Sequence, residues 1–251
     1  MTWFHKWCCL RGFFRYVVSR EHTTTMPLPT LMPKRPPEFV PYVYTREEIR
    51  RLLQTIEAHP RGYSNLEPTT LRTMVLLYYG AGLRLREATN LIRADANLID
   101  SVLTIRNTKF GKTRLVPLGL QLSQALIQYD RSRPKGWPAD SPFFTTVVGR
   151  PVNGRTVARN FRIACNRAGI RRTDTQEQPR VHDLRHTFAV HRLTSWYQQG
   201  ANVQRLLHHL SVYLGHVHLQ HTQVYLTMTP ELLREASHRV ERYVGKERRH
   251  A

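Results

Sequence analysis

Residues 181–189 read VHDLRHTFA and place two histidines and an arginine within five positions of an amphipathic segment. Helical spacing puts His182 and Arg185 on one face of a helix predicted over residues 182–199. That face is either a solvated basic surface or one wall of a site that holds a phosphate group. The choice between these interpretations depends on whether matching side chains occur elsewhere in the chain.

The composition favours a folded protein with a polyanionic partner. The chain has 251 residues, 41% of them hydrophobic, which is enough for one sizeable core or for one domain with an appendage. Its 38 basic and 18 acidic side chains give a formal net charge of +20. Because basic side chains release counterions from nucleic-acid phosphates, an excess of this size favours nucleic-acid binding over a merely soluble basic protein.

Cysteine usage and hydropathy indicate a reducing compartment. Cys8, Cys9 and Cys165 offer neither a disulfide framework nor a CxxC pair. The opening residues 1–18 are apolar, but basic residues interrupt them and the cleavage site of a signal peptide is missing. No apolar run approaches the length that spans a bilayer. We therefore expect a soluble, cytoplasmic protein without a membrane partner.

Three segments can be distinguished along the chain. Apolar residues recur at helical spacing over 3–20, so residues 1–25 are predicted to contain one amphipathic helix, whose apolar face needs a partner. Residues 26–44 are predicted to be an extended linker, since 26–41 contain six prolines. The main domain is predicted over 45–251.

The main domain is predicted to be mainly α-helical with a small antiparallel β-hairpin. Thr45, followed three residues later by Glu48, forms a capping box that starts its first helix. The strands VLTIR (102–106) and TRLVPL (113–118) flank a polar turn with a glycine, which is typical of a hairpin. The further helices are predicted over 69–79, 85–92, 119–131, 154–168, 182–199, 201–210 and 230–244.

Several cations, imidazoles and one phenol occur at separate places in this domain. Such groups together could transfer a phosphoryl group without a metal: arginines clamp the non-bridging oxygens, a tyrosine attacks phosphorus and a lysine protonates the departing oxygen. Each residue alone has an ordinary structural interpretation, so only the set is informative. The set consists of Arg84, Lys109, His182, Arg185, His216 and Tyr225.

The acidic residues disfavour a metal-dependent route. Divalent ions in nucleases are held by clustered carboxylates, and the 18 acidic residues of this chain show no such cluster. A zinc-binding role for the histidines of LHH (207–209) and HVHLQH (216–221) is a weaker alternative, because no cysteine lies near them. We expect neither a metal nor another cofactor.

The same segments resemble the tyrosine recombinase, or phage integrase, family. AGLRLREATNL (81–91) is similar to the family's first arginine box, and HDLRHTFAVHRL (182–193) is similar to its second. LGH (214–216), followed by Tyr225 nine residues after the histidine, resembles its third. TKFGKTRLVPLG (108–119) resembles the segment with the family's catalytic lysine. The resemblance covers about residues 45–245 and implies the fold of a tyrosine recombinase catalytic domain.

The resemblance implies a role for each residue that would surround the phosphate. Arg84 and Arg185 would bind the scissile phosphate, and Glu87 would orient Arg84 through a charge-assisted hydrogen bond. His182 would act as a base-like partner. His216 would donate a hydrogen bond to the phosphate.

It also implies the groups that would make and break bonds. Tyr225 would attack and hold the 3′ phosphate, and it is favoured over Tyr213, which precedes the third box. Lys109 would protonate the leaving 5′ oxygen, with Lys112 in the same turn as the alternative. The implied activity is site-specific recombination or integration by a mobile element, through a 3′-phosphotyrosine and without metal or ATP. The implied partners are double-stranded DNA, further copies of the chain in a dimer or tetramer, and a companion recombinase.

Three features modify this expectation. Family members commonly carry an N-terminal helical domain of about a hundred residues, so the helix in 1–25 is predicted to be a remnant of a truncated core-binding domain. The alternative function is therefore a catalytically impaired DNA-binding remnant that modulates a full-length recombinase. The 31 positions from Arg185 to His216 exceed the expected gap by several residues. The helix 230–244 is expected, from the resemblance, to dock into a neighbouring protomer.

Overall fold

The computed structural model divides the chain into two compact units, Met1–Val40 and Pro41–Ala251. The first unit contains helix α1, Trp3–Ser19, at the place of the helix predicted over 3–20. The described residues are 2–35, 39–59, 65–106, 111–134, 136–174, 177–216, 218–227, 234–235 and 237.

The second unit is mainly helical with one small antiparallel sheet, which confirms the predicted fold class. Strands β2 (Val102–Ile105) and β3 (Arg114–Pro117) form the predicted hairpin, and β1 (Ala96–Asn97) pairs with β2 on its other side. A two-residue strand is too short to leave a periodic signal in a sequence. The helices are α2 (Arg46–Ala58), α3 (Pro68–Gly80), α4 (Leu85–Thr89), α5 (Leu120–Arg131), α6 (Gly154–Arg167), α7 (Val181–Gln198), α8 (Val203–Leu214) and α9 (Gln220–Gln223), with 3₁₀ turns at Arg93–Asp95 and Val224–Thr227.

Short polar side chains cap several of these helices. The hydroxyl of Thr45 accepts a hydrogen bond from the backbone N–H of Glu48 at 3.1 Å, and the Glu48 carboxylate accepts one from the Thr45 N–H at 2.8 Å. This is the predicted capping box at the start of α2. Asn153 and Asn202 accept bonds from backbone N–H groups in the first turns of α6 and α8 in the same way.

Two helices differ from their predicted bounds. Helix α4 ends at Thr89 rather than near residue 92, because Ile92 has an extended backbone and pairs with Pro142 in an isolated β-bridge. Helix α8 continues to Leu214 rather than ending at residue 210. Its apolar face extends through these four residues, and Gly215 then ends the helix in the left-handed conformation with φ +67°.

Helix α7 passes from one hydrophobic cluster to another. Its first turns contribute Val181 and Leu184 to the cluster formed with α2, α3, α5, α6 and the sheet. Its later turns contribute Phe188 and Leu193 to a second cluster, formed with α8 and Tyr225. The arginine predicted to bind phosphate, Arg185, therefore lies where the two clusters meet.

Two further predictions concern the C-terminal helix and membrane-spanning segments. The C-terminal helix predicted over 230–244 falls outside the described residues except at three of its positions. No helix in the described part of the chain is long and apolar enough to span a membrane.

Candidate phosphate-binding active site

Arg185 is the centre of the candidate site and one of its most buried side chains, with 1% of its surface exposed. Its Nη1 donates to the carbonyl of Gly82 at 2.6 Å, and its Nη2 donates to the carbonyl of Leu214 at 2.6 Å. Burial and the nearby charge of Arg84 lower the pKa of Arg185 to about 10. The group is still cationic near neutral pH, so the fold holds a fixed positive charge inside the protein.

The backbone that receives Arg185 needs a glycine. Gly82 has φ +61°, which side chains rarely adopt. A Cβ atom at this position would lie 2.7 Å from Cδ1 of Phe188 and 2.9 Å from Cδ2 of Leu214. The glycine of the AGL segment thus allows a close approach of α7 and α8, and its carbonyl accepts the bond from Arg185.

Arg84 precedes helix α4 and faces the same region from the other side. Its backbone N–H and Nη1 both donate to the carboxylate of Glu87, at 2.9 and 2.8 Å, and its Nη2 donates to the carbonyl of Gly215 at 2.9 Å. Burial opposes ionisation of Glu87, but hydrogen bonds from Arg114 and Arg84 prevail and hold its pKa at about 2. Glu87 therefore contacts Arg84 directly, and its orienting role stays a prediction.

His216 lies directly after α8 and links Arg185 to helix α9. Its Nε2 is 2.9 Å from Nη2 of Arg185, and its Nδ1 is 2.7 Å from the hydroxyl of Thr222. A guanidinium can only donate, so we infer that Nε2 accepts and that Nδ1 carries the hydrogen. Donation from Nε2 to a phosphate, the role predicted for His216, requires a proton on Nε2 and a change in its contact with Arg185.

Tyr225 lies in the 3₁₀ turn after α9, with 2% of its surface exposed. Its ring is stacked on His216 at a centroid distance of 6.1 Å and is tilted against His186 at 5.5 Å. Burial raises the pKa of the hydroxyl, while the charge and hydrogen bonding of Arg185 and the charge of Arg84 act in the opposite direction. The candidate nucleophile is therefore beside the buried guanidinium.

Two neutral imidazoles occupy the first turns of α7. The rings of His182 and His186 are 4.8 Å apart and perpendicular. Partial desolvation of the ring and the positive charges of Arg185 and Arg180 lower the pKa of His182 below its usual value, although the residue is exposed to solvent. Burial and the same charges lower the pKa of His186 to about 3. A neutral His182 can accept a proton, as its predicted role requires.

The structure thus brings most of the predicted set into one region. Arg84, Arg185, His216 and Tyr225 are connected by the contacts above, and the His182 ring is next to His186. Lys109 lies outside the described residues, so its position stays a prediction, whereas Lys112 is an exposed residue near the end of the hairpin. Asp183 points away from this region, as expected, and its carboxylate accepts a bond from the Arg180 N–H at 2.9 Å.

Sequence reasoning missed three side chains of the region. Arg114 binds Glu87 from strand β3, Thr222 binds His216, and His186 separates His182 from Tyr225. Arg114 lies on strand β3 of the hairpin, and the sequence does not indicate its contact with Glu87. Nothing in the sequence around Thr222 indicates its contact. Within the described ranges, no three histidine, cysteine, aspartate or glutamate side chains could hold a metal ion together.

Comparisons with known proteins identify the family of the chain. The profile of the phage integrase family matches residues 43–231. The chain belongs to the phage integrase family of tyrosine recombinases. It is 40% identical over 238 residues to the integrase/recombinase y4rB of Sinorhizobium fredii, covering 93% of this chain and 76% of the relative. It is 31% identical over 242 residues to the tyrosine recombinase XerA of Thermococcus kodakarensis, covering 94% and 75%.

Solved structures share the fold. The crystal structure of XerA recombinase superposes with a TM-score of 0.63 at 23% identity, covering 94% of this chain and 75% of that one. A lambda integrase dimer bound to a COC′ core site gives a TM-score of 0.64 at 20% identity, covering 88% and 58%. Membership in the family of tyrosine recombinases assigns the chain to an enzyme class of DNA strand transferases and supports a role in site-specific recombination.

Proposed function

We propose that this recombinase cuts and rejoins DNA strands through a covalent link between Tyr225 and a 3′ phosphate. The observation that carries the proposal is the meeting of Arg84, Arg185, His216 and Tyr225 from four separate parts of the chain. In the proposed step the Tyr225 oxygen bonds to phosphorus as the bond from phosphorus to the 5′ oxygen breaks. Because the broken phosphoester is exchanged for a phosphoester to Tyr225, the energy of the bond is retained and rejoining needs no ATP.

The proposed site handles charge and protons with different groups. Arg84 and Arg185 neutralise the negative charge that grows on the non-bridging oxygens, and two arginines can do this without a metal ion. His182 accepts the proton that leaves the Tyr225 hydroxyl once Tyr225 has moved from its contact with His186, which lies between the two residues in the free protein. Lys109 gives a proton to the departing 5′ oxygen. The reverse reaction, with a second DNA end, returns both protons and restores the free tyrosine.

Helix α6 offers a basic surface for DNA near this site. Arg155, Arg159 and Arg162 are exposed and recur at spacings of four and three residues, so they share one face of the helix. Arg162 and His182 line the same cavity of about 680 Å³. A duplex on this face could place its backbone close to the arginines of the site. Since arginine contacts to phosphates dominate such binding, affinity should fall steeply with salt.

Self-association and origin are part of the proposal. A lambda integrase tetramer bound to a Holliday junction and an integrase of the Tn1549 transposon in complex with DNA share this fold, at TM-scores of 0.64 and 0.63. By analogy, we expect this chain to act in the cytoplasm as a dimer or tetramer on the ends of a mobile element. A companion recombinase could complete such an assembly. Deleting residues 230–251 should then weaken assembly more than binding of a single protomer, as gel shifts over a protein series would measure.

Covalent trapping tests the proposal. The substrate is a duplex from the ends of the encoding element with a nick close to the cleavage site. After cleavage, the short fragment that carries the free 5′ hydroxyl dissociates, so rejoining is prevented and the phosphotyrosine adduct accumulates. The adduct migrates slowly in denaturing gels. The parental protein should form the adduct with a chelator present, and Tyr225→Phe should form none. Tyr213→Phe is the matched control, because Tyr213 is also near the site but its hydroxyl bonds to the carbonyl of Pro117.

The outcomes separate the proposal from its alternative. An adduct in Tyr225→Phe would assign the nucleophile to another residue. DNA binding without an adduct in the parental protein would favour the binding-only remnant, which the completeness of the arginine and histidine set does not favour. Loss of the adduct on chelation would contradict the metal-independent mechanism.

A further inference from the structure

The carboxylate of Glu87 is shared between two arginines. Arg84 donates to it from its backbone and from Nη1. Arg114 donates from Nη1 to Oε1 at 2.9 Å and from Nη2 to Oε2 at 2.8 Å, which is the two-point geometry in which a guanidinium binds a carboxylate most strongly. One carboxylate therefore fixes two guanidinium groups, and the more extensive side-chain contact belongs to Arg114.

Arg114 also holds the turn that carries His216. Its Nε donates to the carbonyl of Tyr213 in the last turn of α8, at 3.0 Å. A Cβ atom on Gly215 would lie 3.1 Å from its Nη1, so the guanidinium packs directly against this glycine. The Gly215 carbonyl in turn accepts the bond from Arg84. The contacts close a ring through strand β3, the start of α4 and the end of α8.

Burial distinguishes Arg114 from Arg84, and its pairing with a carboxylate distinguishes it from the deeply buried Arg185. Its side chain is 11% exposed and that of Glu87 is 7% exposed, whereas Arg84 is 29% exposed. Arg114 uses Nε, Nη1 and Nη2 for bonds inside the protein, and the Glu87 carboxylate neutralises its charge, whereas Arg185 donates to two carbonyls and keeps its charge unpaired by them. It therefore has little access to a phosphate and can affect the reaction through Arg84 and His216.

We propose that Arg114 is a positioning residue, which aims Arg84 and the His216 turn at the scissile phosphate by holding Glu87 and the end of α8. The inference rests on the proposed function, since it assigns Arg84 to the phosphate. Strand β3 also follows the segment with Lys109, so Arg114 ties the hairpin to the phosphate-binding groups. Lysine cannot replace it, because an ammonium group lacks the planar two-point geometry.

The test compares Arg114→Lys with a matched variant, Arg172→Lys. Arg172 also makes a two-point pair, with Asp174 at 2.8 and 2.7 Å, and its side chain is 10% exposed, but it contacts none of the proposed site residues in these bonds. In single-turnover cleavage of the nicked duplex, Arg114→Lys should be slower than the parental protein by about 10- to 100-fold, the usual effect of a supporting residue. Arg172→Lys should cleave at the parental rate, and both should keep the parental DNA affinity.

A neutral substrate separates positioning from general damage to the fold. Replacing one non-bridging oxygen of the scissile phosphate by a methyl group removes a negative charge, so the reaction depends less on a well-placed Arg84. The deficit of Arg114→Lys should shrink on this methylphosphonate duplex. The deficit of Lys109→Ala should persist, because the leaving oxygen is unchanged.

Other results would contradict either the positioning role of Arg114 or the proposed function on which it rests. Equal cleavage rates for Arg114→Lys and the parental protein would overturn the positioning role, and so would a deficit that the methylphosphonate leaves unchanged. Urea unfolding adds a measurement without DNA: Arg114→Lys and Glu87→Gln should be non-additive in a double-mutant cycle, and additive losses would contradict the contact. A parental protein that forms no adduct would instead contradict the proposed function itself.

Discussion

The two sides of the candidate site are built differently. On one side Arg84 and Arg185 are held by bonds to the carbonyls of Gly215 and Gly82, which are 131 and 103 positions away in the chain. On the other side Tyr225 lies in a four-residue 3₁₀ turn that follows a helix of four residues, α9. The charged side is therefore fixed by the tertiary fold, whereas the proposed nucleophile is carried by short, local structure.

This difference fits the separate demands of the proposed reaction. Charge stabilisation is most effective when the cations are in place before the reaction. The bonds from Arg185 to the carbonyls of Gly82 and Leu214 hold its guanidinium in place in this way. Tyr225 is 2% exposed, so its hydroxyl must become accessible before it can attack a phosphate of a duplex. Short helical turns are the part of a fold in which such a rearrangement costs least. DNA binding would then move residues 220–227 against a fixed set of arginines.

Substitution of Arg185 tests the fixed side and should have the largest effect. In Arg185→Lys the carbonyls of Gly82 and Leu214 cannot both keep their bonds, and a phosphate loses a two-point partner. We expect single-turnover cleavage to fall by about 10³-fold and the free energy of unfolding in urea to fall by about 2–3 kcal/mol. The control is Arg192→Lys, an exposed arginine farther along α7. Near-parental cleavage by Arg185→Lys would mean that the fixed side does not bind the phosphate.

The next prediction concerns the hairpin and asks whether Lys109 or Lys112 protonates the leaving 5′ oxygen. A general acid typically contributes about 10²–10⁴-fold, so Lys109→Ala should slow cleavage of an ordinary duplex by about 10²-fold or more. A substrate with sulfur in place of the bridging 5′ oxygen has a leaving group that needs no proton, and should restore the rate. Lys112→Ala should retain parental cleavage on both substrates. The reverse pattern would transfer the role to Lys112.

The sequence predicts what depends on neighbours in the chain. The start of α2 follows from Thr45 and Glu48, and the shared face of His182 and Arg185 follows from their spacing. The end of α4 does not, since it depends on the bridge between the extended Ile92 and Pro142. Pairwise patterns along one element carry no information about partners that are brought together by the tertiary fold.

The site shows the same limit. Motif resemblance selected Arg84, Arg185, His216 and Tyr225, which the structure places together. It did not select Arg114, whose partner Glu87 is 27 positions away on another element. Supporting residues are harder to recognise because many residue types can hold a neighbour in place. Their identity follows only from the hydrogen bonds of the folded chain.

Substitution of Glu87 should have an intermediate effect on the cleavage rate, because Glu87 holds Arg84 in place but is not proposed to contact DNA. Its folded-state pKa of about 2 lies below the ordinary value of 4.5, so its contribution to stability is present above pH 4.5 and is lost as the pH falls through about 2. The difference corresponds to about 3 kcal/mol at neutral pH. Glu87→Gln should slow cleavage by about 10-fold and should flatten the loss of urea stability between pH 4.5 and 2.

The control for this measurement is Glu177→Gln. Glu177 also pairs with an arginine, Arg180, but its side chain is 66% exposed. Exposed pairs add little to stability, so this variant should retain the parental pH profile and cleavage rate. An unchanged acid profile in Glu87→Gln would show that the carboxylate does not brace the arginines.

His186 gives the smallest expected effect and tests the contact between the two sides. It lies between His182 and Tyr225, and its buried Nδ1 has no hydrogen-bond partner among the described residues. Burial and the charges of His182, Arg185, Arg180 and His216 lower its folded pKa to about 3, below the usual 6.5, and the titratable Tyr225 also contacts its ring. The unfolded chain therefore binds the extra proton, so stability is complete above pH 6.5 and falls as the pH falls below it.

Because of one such histidine, the free energy of unfolding measured in urea should fall by about 2 kcal/mol between pH 6.5 and 5. His186→Gln cannot titrate and should lose correspondingly less over this interval, while His208→Gln, at an exposed position on α8, should follow the parental curve. If DNA binding moves Tyr225 away from His186, the ring becomes more accessible and its pKa rises toward 6.5. Binding of DNA should then take up a proton near pH 5, measurable by calorimetry in two buffers, and His186→Gln should reduce that uptake. A proton uptake that is the same in both proteins would mean that Tyr225 keeps its contact with His186 on DNA, and that the nucleophile is as fixed as the arginines.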